Sequence, residues 1–246
     1  MKYLLLLSSL LVFILCACGE NQSKATSTTS TNNSQQYTSK TKKQDNPTPI
    51  KTLVYDYDTT QWTDLRYLDS TILIDMRYAT TNNFVKEKMY ECSRCFLRPE
   101  VARRIVRAHQ ILREGGLGLK MLDCFRPRPI QQKLWDKFQD ARYVTPPSKG
   151  SMHNRGAAVD LTIVNEKGEQ LNMGTPFDYF GKEAHHAYTN LSAEVLANRK
   201  LLKETMAAVQ LKPITTEWWH YSYQAQKYEL SDMLWKCDNG SQDAEQ

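Results

Sequence analysis

Apolar positions recur at helical spacing in three stretches of the chain. Over 99–114, Val101, Ala102, Ile105, Val106, Ala108, Ile111 and Leu112 form one stripe, with Pro99 suited to the first turn and Gly115-Gly116 to the stop. A second helix is predicted over 192–210, with Ser192 as N-cap, Val195, Leu202, Met206 and Val209 inside, and Pro213 just beyond. A third, from about 129 to 141, would bury Ile130, Leu134, Phe138 and Trp135. Strands are predicted over 71–76, 117–125, 157–164 and 215–223. In the third of these, Val159, Leu161 and Ile163 alternate with Ala158, Asp160 and Thr162, the period-two pattern of a half-buried strand. Helices and strands follow one another without a regular βαβ repeat. The expectation is an α+β fold, a mostly antiparallel sheet flanked by helices.

The first fifty residues follow another logic. Lys2 precedes an apolar run from Tyr3 to Leu15, which is shorter than the ~20 residues a membrane-spanning helix needs and so reads as a signal peptide, residues 1–17. The run ends in Leu15-Cys16-Ala17-Cys18-Gly19, which looks like a bacterial lipoprotein cleavage box with Cys18 as the lipidated residue. An ordinary secretory signal with incidental cysteines is the alternative. The Ser/Thr/Asn/Gln/Lys-rich stretch that follows buries too little apolar area to offset its ordering entropy, so 18–50 is expected to be a disordered tether. The folded domain is assigned to 51–238 and a flexible tail to 239–246. The expected location is the bacterial cell envelope, on its periplasmic or extracellular face, with the chain held to the membrane through the anchor.

Charge narrows the partners. Of the net +5, the segment up to Lys51 accounts for +4: Lys2, Lys24, Lys40, Lys42, Lys43 and Lys51 against Glu20 and Asp45. About +1 is left for the rest, with no basic stripe to neutralise a phosphate backbone, so nucleic acid is not an expected partner. Besides Cys18, the mature chain has Cys92, Cys95, Cys124 and Cys237. Outside the cytoplasm an even number points to disulfides, with three pairings open. Free buried thiols are a second reading, and metal or redox chemistry at Cys92-x-x-Cys95 a third.

Four clusters carry chemistry. In Ser151-Met152-His153-Asn154-Arg155-Gly156-Ala157-Ala158-Val159-Asp160, a histidine in a turn precedes an aspartate on a strand beside small neighbours, a pairing that suits zinc. Taken alone, it reads more readily as a His-Asp hydrogen bond at a turn. In Glu217-Trp218-Trp219-His220, a carboxylate stands three residues before a histidine, the elementary unit of many zinc hydrolases. Residues three apart on a strand face opposite sides, so Glu217 is expected in a bulge or loop at the strand's edge, with His220 inside. Alone, this cluster also reads as an aromatic core strand with a buried histidine. The third cluster is Asp123-Cys124-Phe125-Arg126-Pro127, where Arg126 could pair with Asp123. The fourth is Asn172-Met173-Gly174-Thr175-Pro176-Phe177-Asp178, followed by His185-His186, a pair that fits a second metal less well than a surface or supporting role.

Together these clusters resemble the D-alanyl-D-alanine dipeptidases, within the larger group of zinc D,D-peptidases. The pattern S-x-H-x-x-G-x-A-x-D is met by Ser151, His153, Gly156, Ala158 and Asp160. E-x-W-H is met by Glu217, Trp219 and His220, the aromatic-R-P element by Phe125, Arg126 and Pro127, and MG-x-x-FD by Met173, Gly174, Phe177 and Asp178. The likeness runs from about residue 70 to 223. It implies the hedgehog/D,D-peptidase-like fold and one Zn2+ per chain held by His153, Asp160 and His220. By the same resemblance, Glu217 is the catalytic base, Arg126 stabilises the oxyanion, and Ser151 and Asp178 bind substrate, Asp178 through its free amine. The implied reaction is hydrolysis of D-Ala-D-Ala or a related dipeptide. An exported chain fits peptidoglycan turnover or salvage better than depletion of a cytoplasmic pool. A D,D- or L,D-carboxypeptidase acting on peptidoglycan stems is the near alternative, although such relatives usually lack the MG-x-x-FD segment. A non-catalytic zinc- or peptidoglycan-binding lipoprotein is the distant one.

Overall fold

Pro99 opens the longest apolar stripe, and its missing N–H costs nothing at a helix start. In the computed structural model, which describes residues 54–237, that stripe is helix α2, Pro99–Arg113, with Glu100 in its first turn and Arg113 in its last. The signal peptide, Cys18, the tether and the tail lie outside the described residues. Ahead of α2 come a two-residue strand β1 (Thr63–Asp64), a one-turn helix α1 (Leu65–Leu68), strand β2 (Leu73–Ile74) and strand β3 (Phe96–Leu97). After it come β4 (Gly118–Asp123), α3 (Arg128–Lys137), β5 (Ala158–Val164), α4 (Ala193–Ala208), β6 (Lys212–Pro213) and β7 (His220–Ser222).

Five strands form one sheet in the order β2-β4-β5-β7-β6. Only the β2–β4 pairing is parallel; β4–β5, β5–β7 and β6–β7 are antiparallel, as expected for a mostly antiparallel α+β fold. Strands β1 and β3 pair antiparallel as a separate ribbon. Helices α2 and α4 pack on each other, α2 also against β4 and α4 against β5. Val101, Ile105 and Leu112 of α2, Leu202 and Met206 of α4, and Val159, Leu161 and Ile163 of β5 are buried in one core.

The differences from the sequence pattern have local causes. Helix α3 ends at Phe138, short of 141, where the backbone turns extended (φ −147°, ψ 90°). The Phe138 ring packs in an aromatic cluster with Phe84, Tyr143 and Phe180, contacts that a continued helix would redirect. Strand β2 stops before 76 because a 3-10 turn, Arg77–Ala79, begins there and carries Tyr78 into the interior. Strand β4 leaves the ladder at Asp123, after a register shift opposite β5. Strand β5 is not half-exposed: all seven of its residues are buried. Its polar-looking face is closed by the side chains that meet around Asp160.

Candidate metal and catalytic site

The site lies where three strands of the sheet end or begin together. Asp160 of β5 stands opposite both Asp123, the last residue of β4, and His220, the first of β7. His153 comes from the 3-10 turn His153–Arg155 that leads into β5. That turn closes on Gly156 at φ +65°, and a Cβ there would run into the Trp62 ring, so the turn needs glycine both for its backbone angle and for space.

Three donor atoms converge. His220 Nδ1 lies 2.9 Å from Asp160 Oδ1, His153 Nε2 3.3 Å from the same oxygen, and the two imidazole nitrogens are 3.1 Å apart. A tetrahedral zinc with bonds of about 2.0–2.1 Å spaces its ligand atoms about 3.3 Å apart, so these three atoms match one face of such a site. His153 Nδ1 lies 2.7 Å from the Cys124 carbonyl oxygen. A carbonyl only accepts, so Nδ1 carries the proton and Nε2 presents a lone pair to the shared point. Burial works to raise the Asp160 carboxyl, but His153 and His220 more than offset it and hold it well below the usual carboxylate range. A carboxylate oxygen and two imidazole nitrogens form a fitting donor set for Zn2+. Among the described residues, this is the one grouping of three such side chains close enough to share an ion.

Glu217 sits outside β7, in the irregular run before it, in line with the expectation of a loop at the strand's edge. Burial, reinforced by Asp160, raises its carboxyl to about 7 against the opposing pull of His220 and Arg126. Arg126 is buried and fixed by its neighbours. Its Nε and Nη2 donate to Asp123 Oδ2 at 3.1 and 2.6 Å, and its Nη1 donates to Gln131 Oε1 at 3.0 Å. Of its five N–H groups these bonds use three, leaving two for other work. Asp123 in turn accepts from Tyr90 Oη at 2.8 Å, so the pairing of Arg126 with Asp123 read from sequence holds within a larger network.

Asp178 adopts φ +59° and accepts from Tyr78 Oη at 3.0 Å. Its carboxyl is pushed well above the usual range by burial, then by Asp160 and Glu217, so an incoming cation would be needed to keep it charged. Ser151 lies two residues before His153, and its Oγ accepts from the His153 N–H at 3.2 Å. The segment carrying Asp178 is tied to the one carrying Glu217, because Trp218 Nε1 donates to Thr175 Oγ1 at 2.8 Å and Phe177 packs edge-on against Trp219. The histidine pair does not form a second cluster. His186 donates its backbone N–H to the Thr215 carbonyl, while burial and then Lys203 and Arg199 lower its imidazole to about 4.

Sequence reasoning missed Tyr78, Tyr90 and Gln131. Tyr78 lies within no matched motif, yet its hydroxyl holds Asp178 and its ring lies 5.0 Å beneath the Arg126 guanidinium. No local signal marks it, because a tyrosine after a short strand is ordinary.

The peptidase M15 family model, D-Ala-D-Ala dipeptidase, matches residues 58–235. A D-alanyl-D-alanine dipeptidase of Escherichia coli (strain K12) is 32% identical over 181 residues, covering 73% of this chain and 94% of that protein. One from Enterococcus faecium is 30% identical over 178 residues, covering 64% and 88%. A solved vancomycin-resistance D,D-pentapeptidase in complex with Zn(II) is a remote likeness, at 15% identity and a TM-score of 0.35 over 52% of this chain and 73% of that one. On the family match and the identity to the first of these relatives, the chain belongs to the D-Ala-D-Ala dipeptidase family of M15 zinc peptidases.

Proposed function

We propose that this protein is a zinc dipeptidase, with one Zn2+ per chain, that hydrolyses D-Ala-D-Ala or a closely related dipeptide at the bacterial cell envelope. The observation that carries the reading is the convergence of His153 Nε2, Asp160 Oδ1 and His220 Nδ1 beside one buried carboxyl and one buried guanidinium. Zn2+ bound there supplies a Lewis acid that brings the pKa of a coordinated water to about 7 and polarises the substrate carbonyl. Glu217 accepts the proton of the attacking water and passes it to the leaving amine. Its burial makes it a stronger base than an exposed glutamate, suited to proton transfer near neutral pH. Arg126, held by Asp123 and Gln131, aims its two remaining N–H groups at the developing oxyanion. Asp178 pairs with the substrate's ammonium, whose charge stabilises the ionised carboxylate, and Tyr78 keeps it in place. Ser151 retains its hydroxyl proton for a substrate oxygen while accepting from His153. A fixed amine site next to the scissile bond selects a dipeptide over a longer chain.

The envelope location rests on Lys2, the apolar run to Leu15 and the box ending at Cys18. Two disulfides support it, since such bonds persist in oxidising compartments. There the reaction serves peptidoglycan turnover or salvage. The test is hydrolysis of D-Ala-D-Ala, L-Ala-L-Ala and a stem pentapeptide ending in D-Ala-D-Ala, with and without a chelator. The expected result is cleavage of the free D-dipeptide, lost on chelation and restored by Zn2+. Preference for the pentapeptide would replace the dipeptidase with a carboxypeptidase. Zinc binding without turnover of any of the three would leave only a binding protein.

A further inference from the structure

The four cysteines have no place in the chemistry above. They pair as Cys92–Cys237 and Cys95–Cys124, with Cα atoms 5.8 and 5.3 Å apart. The two bridges stand in different relations to the site. Cys92–Cys237 joins the end of the described chain to the loop before β3, beside Arg94, which binds Asp56, Asp64 and the Lys236 carbonyl. Cys95–Cys124 is fully buried and lies directly under the site. Cys124 follows the last residue of β4, where the sheet ladder has ended. The backbone from 124 to 127 is in neither helix nor strand, yet it carries the carbonyl that orients His153 and the side chain of Arg126.

The contacts that fix this run come from the β3 side and from the His153 turn. Phe125 N–H donates to the Phe96 carbonyl at 2.9 Å, and Arg126 N–H donates to the His153 carbonyl at 3.1 Å. Asn154 Nδ2 donates to the Arg126 carbonyl at 2.7 Å. Phe96 and Phe125 sit with Trp62 in a small aromatic cluster apart from the main core, to which Cys95 and Cys124 belong. The sulfur bridge therefore pins the one residue whose carbonyl sets the His153 tautomer, at a point where strand pairing no longer does so.

We propose that the Cys95–Cys124 disulfide is a positioning element of the metal site, holding the Cys124 carbonyl against His153 Nδ1 and, through the same run, Arg126 in line. The proposal rests on the ligand set given above. Partners that hydrogen-bond a metal-bound histidine typically change metal affinity or activity about 10–100-fold when removed. In C95A/C124A, the Zn2+ dissociation constant rises by about that factor. The absorption bands of the Co2+-substituted protein shift, and kcat falls. The comparison is C92A/C237A, which opens the longer loop, 145 residues against 29, and so loses more unfolded-state restraint. That variant melts at lower temperature but keeps the wild-type Zn2+ affinity and Co2+ spectrum.

Wild-type zinc affinity and Co2+ spectrum in C95A/C124A overturn the proposal, as does equal weakening of zinc binding by both pairs. C95V/C124A, which refills part of the lost volume, serves if the alanine pair does not fold. Failure of both to fold makes the bridge a folding crosslink and also overturns it. Absence of zinc binding in the wild-type protein would instead strike the ligand set itself.

Discussion

At the scale of single residues, the site is a balance of buried charge. Asp123, Asp160, Asp178 and Glu217 are gathered around one guanidinium and two imidazoles, an arrangement that favours a bound cation and a cationic substrate end. Two substitutions separate the chemistry from its support. Glu217→Ala removes the base but no ligand, so kcat falls about 10²–10⁴-fold while zinc stays stoichiometric by atomic absorption. Unchanged hydrolysis in that variant would remove Glu217 from its role. Asp123→Asn keeps the shape but removes the charge of the carboxylate that Arg126 hydrogen-bonds, which costs about 3–5 kcal/mol in urea unfolding and lowers kcat with it. A stability equal to wild type would mean that Gln131 and the Tyr78 ring suffice to hold the guanidinium.

At the scale of elements, the site is built from ends and interruptions. Asp123 ends β4, His220 begins β7, His153 stands in a one-turn connection, and Glu217 and Asp178 lie in irregular backbone. The regular parts serve as scaffold, and a change there separates stability from activity. Ser192 caps α4 by accepting from the Val195 N–H at 3.3 Å, and α4 packs on α2 and β5. Ser192→Ala is expected to lose about 1 kcal/mol of stability with kcat/KM unchanged below the melting range. A fall in kcat/KM without a fall in stability would show that α4 reaches the site.

At the scale of the whole molecule, pH acts on the stability of the fold as well as on the chemistry. The His186 imidazole is held at about 4 by burial and by the nearby Lys203 and Arg199, against 6.5 for a free histidine. Between those values the unfolded chain binds a proton that the folded one refuses, so stability is full above about 6.5 and declines as pH falls toward 4. His186→Gln should flatten the melting temperature against pH across that window; an unaltered slope would assign the loss to other groups. Cys18→Ser tests the anchor. Expressed in a bacterium, wild-type chain should sediment with membranes and the variant should not, and equal distribution of the two would leave an unlipidated secreted form.

Two helices follow from sequence alone, because each rests on short-range order. Periodicity, with Pro99 in the first turn of α2 and the Ser192 cap of α4, suffices for them, whereas His153, Asp160, Glu217 and His220 stand out only through the joint pattern of four motifs and the family it resembles. The position of Glu217 outside the strand also follows, because residues three apart on a regular strand face opposite sides. What only the tertiary structure decided depends on groups far apart in the chain. It chose one of three cysteine pairings, ended α3 early for the sake of the Phe138 ring, and covered the second face of β5. It also brought Tyr78 to Asp178, one hundred residues away. Neither spacing nor propensity encodes these outcomes, since each is settled by which surfaces meet when the sheet closes over its core.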